Sequence, residues 1–333
     1  MNRPFFIDDA GEPITLDKIR KRFLANVRYF AVPLGALIIF SAAMTIASPH
    51  FLRLGNLLNV LRQVSVNGMV ALAMTFVILT GGIDLSVGAV LAFTGTLAAG
   101  LISGNGLPVG LAILVALAAG TLVGAINGFI ISRSRIAPFI VTLAMMNIVR
   151  GLAYIYTGGL PVRVVFERFN RIGQGYLGPI PNPVVYFVVL FIFLDLLLKR
   201  TSFGRHVYSV GDSPEASWVA GINVRRVRFA VYTLTGFVTA MAGVIMSSRM
   251  YSGQPTAGQG YELDAVAACV LGGASMSGGT GRLAGTLYGA LVIGVLNNGL
   301  NLLNINAFWQ LVAKGLVILM AIYLDDWKKR RGK

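Results

Sequence analysis

Long apolar blocks, separated by short polar turns, run through most of this chain. Most come close to the roughly twenty residues that a helix needs to cross a bilayer. They predict membrane helices at 29–48, 57–80, 85–103, 109–131, 137–157, 183–199, 229–249, 262–274, 284–303 and 308–325. None alternates apolar and polar positions over about ten residues, as strands of a membrane barrel do. The expected fold is therefore an all-α polytopic membrane protein of about ten transmembrane helices. Cut after the fifth block, the chain gives two five-helix halves running in opposite directions, the inverted arrangement of many transporters. The membrane domain spans 29–325, between an N-terminal segment 1–28 and a basic tail 326–333. Connections are short, apart from an outer loop at 158–182 and an inner one at 200–228, and they leave no room for a soluble catalytic domain.

Composition agrees with the pattern. The 333 residues are 56% hydrophobic and 12% charged, with mean hydropathy +0.74; soluble domains carry about 25% charged residues. The formal charge of +15 follows topology. Most Lys and Arg fall in 1–28, 132–135, 199–228 and the tail, which the positive-inside rule assigns to the cytoplasm with both termini. No nucleic-acid partner is needed to explain them. Cys269 is the single cysteine, so no disulfide forms within the chain. The first 28 residues are polar and hold no secretory signal, so the first block is expected to stay as an anchor. Ile19, Phe23 and Val27, set among basic residues, suit a helix on the inner leaflet.

The stretch Lys199–Arg228 is the longest polar segment between two apolar blocks. Ser213 or Asp212 can cap a helix there, and Pro214 suits its first position. Glu215 faces the positive end of the helix dipole, and Gly221 is placed to end the helix. Two turns of helix are marginal alone, so this one must be held by packing.

Enzymatic groupings are missing. His50 and His206 fall on opposite faces, and neither has a cysteine nearby to make a metal cluster. No GxxxxGK[ST] loop occurs, so the chain has no nucleotide site of its own. Gly279–Ala284 matches GxGxxA but lies between membrane helices and reads as a tight turn. No catalytic, metal or cofactor residues are expected. Small residues mark close helix contacts at Gly120, Gly124 and Gly128, and at Gly285 and Gly289.

Ionisable groups at membrane depth are costly and carry more meaning. Asp84, in LTGGIDLSVG, can cap the third span together with Ser86. Glu262 and Asp264 begin the eighth span, where they can cap it, pair with Arg249 or face a polar solute. Arg62, Arg150, Asp195 and Lys314 read as snorkelling or paired groups near span ends. Gln63, Asn67, Asn127, Asn147, Asn297, Asn298 and Asn301 form an uncharged amide set. A path lined by amides suits a neutral, polyhydroxylated solute. Its candidate lining or gate is Asp84, Ser86, Asn67, Asn147, Glu262, Asp264, Asn297 and Asn298.

Four blocks in order then point to a family: VILTGGIDLSVG, FIVTLAMMNIVRGLAYIYTGG, TSFGRHVYSVGDSPEASWVAGINV and the run from Gln254 to Leu303. The chain resembles the permease subunits of bacterial ABC importers for simple sugars, the ribose-permease type, from about Pro49 to Leu324. That resemblance implies a type II ABC-importer-like bundle in the bacterial inner membrane. It implies a cytoplasmic ATPase subunit that binds ATP and Mg, a periplasmic sugar-binding protein and a second permease, identical or paralogous. It also implies that Ser213, Glu215, Ala216, Ser217 and Gly221 form the coupling helix that docks in a cleft of the ATPase. Asp212-Ser213-Pro214 departs from the Gly-Asn-rich residues usual at that point. No block encodes which sugar is carried.

Overall fold

A computed structural model describes residues 33–331, so segment 1–28 and its expected surface helix lie outside the described residues. The long elements are α1 (Pro33–Ala47), α2 (Leu54–Leu79), α3 (Val87–Ser103), α4 (Val109–Arg133) and α5 (Pro138–Thr157). After α6 (Glu167–Gln174) come α7 (Asn182–Arg200), α8 (Ser202–Asp212), α9 (Pro214–Val219) and α10 (Val224–Arg249). The chain closes with α11 (Tyr261–Leu271), α12 (Leu283–Leu302) and α13 (Ala307–Arg331). Within the described residues, each apolar block overlaps a helix. By length and composition, α2, α4, α5, α7, α10 and α12 are long and apolar enough to cross a membrane. α1, α3 and the stretch Ala307–Val317 are shorter apolar helices. α11, at 11 residues, spans only about 16 Å.

α2 is the axis of the bundle. Every residue from Val64 to Leu79 is buried, including its polar Asn67 and Thr75. A helix that is apolar on all faces belongs in the interior of a large bundle. α2 packs against α7, α10, α11 and α12. It stops at Thr80, where Gly81 turns the chain with φ +77, a conformation that favours glycine.

Glycines set the closest helix contacts. A Cβ on Gly124 would collide with the Tyr232 carbonyl oxygen of α10, and one on Gly120 would lie 2.6 Å from the Ala240 Cβ. Gly128 meets the Phe229 carbonyl of the same helix at 2.8 Å. The glycine repeat of α4 therefore seats α10 of its own chain. In the same way a Cβ on Gly289 would strike the Ala268 carbonyl of α11, and one on Gly272 the backbone of Gly285.

The connections gather at two ends. At one, Gly279 N–H donates to the Leu79 carbonyl (3.0 Å), and the Tyr208 hydroxyl donates to the Gly281 carbonyl (2.8 Å). At the other, β1 (Val162–Arg163) pairs antiparallel with β4 (Ser252–Gly253), and the Ser248 hydroxyl donates to the Phe169 carbonyl of α6. A second ribbon joins β2 (Tyr176–Leu177) to β3 (Ile180–Pro181). These short ribbons qualify the all-α expectation in the loops alone.

The 200–228 segment holds two helices where the sequence suggests one. Thr201 caps α8 by accepting from Gly204 N–H at 3.3 Å. Its Val207 and Val210 are buried, and Phe203 stacks on Phe76 of α2 at 6.3 Å between centroids. Gly211 lies so close to Leu79 that a Cβ would strike its carbonyl oxygen. Tertiary packing, not local propensity, holds α8 in place.

Gly124→Leu drives a side chain into the α10 backbone and is expected to cost about 1–3 kcal/mol or more. Gly151 has open space around it. Gly151→Ala there should be neutral or stabilising by up to about 1 kcal/mol. Thermal unfolding in detergent checks the pair: equal melting shifts would refute the tight α4–α10 contact.

Candidate functional site

Two features carry chemistry or mechanics, one at a helix end and one inside the bundle. At the first, Ser213 caps α9 by accepting from Ala216 N–H at 3.1 Å, and Pro214 occupies the first turn. Gly221 ends the motif with φ +82, and Ile222 N–H returns to the Ser217 carbonyl. Ser217 is buried and shares a 2.8 Å hydrogen bond with Ser209 of α8. Glu215, Ala216, Trp218 and Val219 all face outward. Trp218 is 73% exposed and Val219 79%. A braced helix that displays an indole and an isopropyl group to solvent is shaped to meet another surface. Trp218 was absent from the sequence-based set, and its position two residues after Ala216 on a short capped helix was the available signal.

The second feature is a polar cavity bounded by α2, α11, α12 and α13. Gln63, Asn67, Tyr261, Asp264, Asn297, Asn301, Gln310 and Lys314 line it. Asp264, 2% exposed, is its hub. Lys314 Nζ lies 3.0 Å from Asp264 Oδ2. The same oxygen accepts from Asn297 Nδ2 at 3.3 Å and Asn67 Nδ2 at 3.5 Å. A buried carboxylate is tolerable only when paired and hydrogen-bonded in this way. Two of the three expected alternatives for Asp264 are thus corrected: it does not pair with Arg249, and its side chain caps no helix. It sits beside Asn67, near the middle of the 26-residue α2, and so deeper than the start of a full-length span. α11 is short, which lets its first turn lie inside the bundle.

The Asp84 turn is separate. Ser86 donates to Asp84 Oδ1 from both N–H (2.9 Å) and hydroxyl (2.6 Å). Asn127 Nδ2 donates to the Ser86 oxygen at 3.0 Å. Neither Asp84 nor Ser86 caps α3, contrary to expectation. The carboxylate folds back on its own turn, and Ser86 makes no side-chain bond to the helix N–H groups. Burial pushes the Asp84 carboxyl above the usual range, and the Ser86 hydroxyl and N–H bonds partly offset that.

The remaining candidates stay apart from the cavity. Glu262 Oε1 accepts from Gly260 N–H at 3.2 Å. Arg150 Nη1 binds the carbonyls of Pro255 and Ala257. Asn298 exchanges amide bonds with Asn56 at 2.9 and 3.0 Å. Asn147 is exposed on α5 and bonds back to the Leu143 carbonyl. Asp195 pairs with Lys199 on α7 at 2.8 Å. No group of acidic, His or Cys side chains among the described residues could hold a metal ion.

Comparison with known proteins places this architecture. A profile described as branched-chain amino acid transport system / permease component matches residues 56–322. The ribose import permease protein of Bacillus subtilis is 50% identical over 298 residues, covering 89% of this chain and 92% of that protein. The ribose import permease protein of Haemophilus influenzae is 46% identical, covering 92% of this chain and 94% of its own length. The L-arabinose transport system permease protein of Escherichia coli is 40% identical over 303 residues, covering 89% and 91%. No solved structure matches the chain.

Lys314→Met leaves a buried carboxylate without its cation and is expected to cost about 3–5 kcal/mol. Adding Asp264→Asn, which keeps an acceptor for the two amides, should restore most of it. Unfolding in detergent reads the cycle, and a double variant no better than the single one would sink the ion-pair account. At the other site Asp84→Asn keeps the oxygen that Ser86 donates to, whereas Asp84→Ala strands two buried donors at about 1–3 kcal/mol. Indistinguishable melting of those two variants would contradict the turn described above.

Proposed function

The chain belongs to the family of branched-chain amino acid transport system permease components, and on that premise we propose that it is the membrane permease subunit of an ATP-binding-cassette importer for a monosaccharide. The relatives named for ribose and arabinose support a sugar over an amino acid. So does the cavity. Its amides and single neutralised ion pair suit hydroxyl groups, not the apolar side chain and separated charges of a branched-chain amino acid. Ten crossings, arranged as two inverted five-helix halves, fit the alternation of connections between two ends. The basic loops face the cytoplasm of a bacterial inner membrane, and both termini lie there.

The observation that carries this reading is α9, capped, braced on α8 and presenting Trp218 and Val219. This helix seats in a cytoplasmic ATPase subunit, which holds ATP and Mg. Ser213, Glu215, Ala216, Ser217 and Gly221 give it shape, and Trp218 gives it contact area. Its motion passes to α8 through Ser217 and Ser209. From there it reaches α2 through the Phe203–Phe76 stack and the close approach of Gly211 to Leu79. A second permease and a periplasmic sugar-binding protein complete the assembly. The chain itself performs no chemistry; it turns a cytosolic displacement into alternating access.

Reconstitution with the ATPase and binding protein in liposomes tests this. ATP-dependent uptake of labelled ribose or arabinose is expected, and excess leucine should not compete. Trp218→Asp should abolish co-purification of the ATPase while the chain still inserts in the membrane. Uptake of leucine alone would overturn the sugar assignment. Full ATPase retention by Trp218→Asp together with Val219→Asp would overturn the coupling role.

A further inference from the structure

We infer that the cavity between α2, α11, α12 and α13 is a contact site for an uncharged, hydroxyl-rich solute, with the carboxamide oxygens of Asn67 and Asn297 as hydroxyl acceptors. The inference rests on the importer reading above and assigns its substrate contacts. Asn67 is 9% exposed and Asn297 7%. Both residues line the cavity, and among the described residues the Oδ1 atom of each has no hydrogen-bond partner. Their orientation is not arbitrary. A carboxylate accepts and cannot donate, so the amide nitrogens must face Asp264 and the oxygens must turn away from it. Buried acceptors without a donor are costly, and a solute hydroxyl removes that cost.

The charge pattern narrows the class. Asp264 and Lys314 neutralise each other, so a cation entering the cavity meets the ammonium and an anion meets the carboxylate. A hydroxyl both donates and accepts, and so fits both. Size sets the second constraint. The cavity measures about 90 Å³. That is room for about three waters, and small-molecule pockets run to roughly 300–1,000 Å³. A sugar ring is admitted only when a wall retreats. α13 is that wall: its main packing partner is α11, and Lys314 and Gln310 face the cavity from it. Its movement separates Lys314 from Asp264, and solute hydroxyls replace the ammonium as donors to the carboxylate.

The test uses the complete transporter in liposomes, with Asn67→Leu and Asn297→Leu. Labelled ribose uptake should fall by about tenfold or more in each. Both variants should still insert in the membrane and co-purify with the ATPase subunit, because the contacts removed are with solute. A second readout follows the thiol of Asn297→Cys in a Cys269→Ser background. Ribose should slow its mixed-disulfide formation with a small methanethiosulfonate, which releases methanesulfinate; choline and acetate should leave the rate unchanged. Normal uptake by both leucine variants overturns the site alone, provided that the unaltered complex imports ribose. Uptake and co-purification falling together, with thiol modification blind to ribose, marks the amides as structural and also overturns it. An unaltered complex that carries neither ribose nor arabinose overturns the importer reading and this site with it.

Discussion

Lipid tails are as apolar as leucine, so the hydrophobic effect does not hold these helices to one another. Backbone approach does. Gly120, Gly124 and Gly128 bring α4 within contact of the α10 main chain, and Gly236 of α10 answers from the other side. Gly289 and Gly272 do the same for α11 and α12. Contacts at this range bring many atom pairs close together, and each pair adds only about 0.1–0.2 kcal/mol. The result is a stiff cage around α2, whose burial from Val64 onward depends on those neighbours staying close.

A stiff central helix has a mechanical consequence. Asn67 stands 12 residues before Leu79, about 18 Å along α2. One end of that rod is touched by α8, through Phe203 and Gly211, and by the turn at Gly279. Its middle carries an amide of the polar cavity. From α9 through α8 to α2, a continuous line of packed groups runs to the cavity. Close-packed interiors transmit displacement instead of absorbing it.

Much of this was legible in the sequence. Each apolar block became a helix, because runs of that length have few other ways to satisfy their backbone in lipid. Ser213, Pro214, Glu215 and Gly221 spelled α9 locally, since capping acts over three or four residues. What failed was non-local. α8 has its apolar period in Phe203, Val207 and Val210, diluted by glycines and basic residues, and packing against α2, α7 and α10 makes it persist. Asp84 and Ser86 are cap-forming types, yet the same chemistry closes a turn instead. The cavity joins Asn67 to Asp264 across 197 positions and Lys314 to Asp264 across 50, spacings with no periodic trace.

The position of Asp264 follows from the length of its helix. A carboxylate at the start of a full-length span would sit at the membrane surface. α11 has 11 residues, so its first turn begins within the bundle. Irregular backbone at such depth is tolerated where protein or a water-filled cavity surrounds it. The segment before α11 meets that condition, with a Cβ on Gly258 falling 2.8 Å from the Gly88 carbonyl and Arg150 holding the carbonyls of Pro255 and Ala257. A short helix thus does what a long one does not: it carries an acidic side chain to the centre and leaves space beside it. The carboxylate then needs a cation, and Lys314 on α13 supplies it. Charge inside the bundle is thus neutralised across elements, by a side chain from α13 facing the first turn of α11.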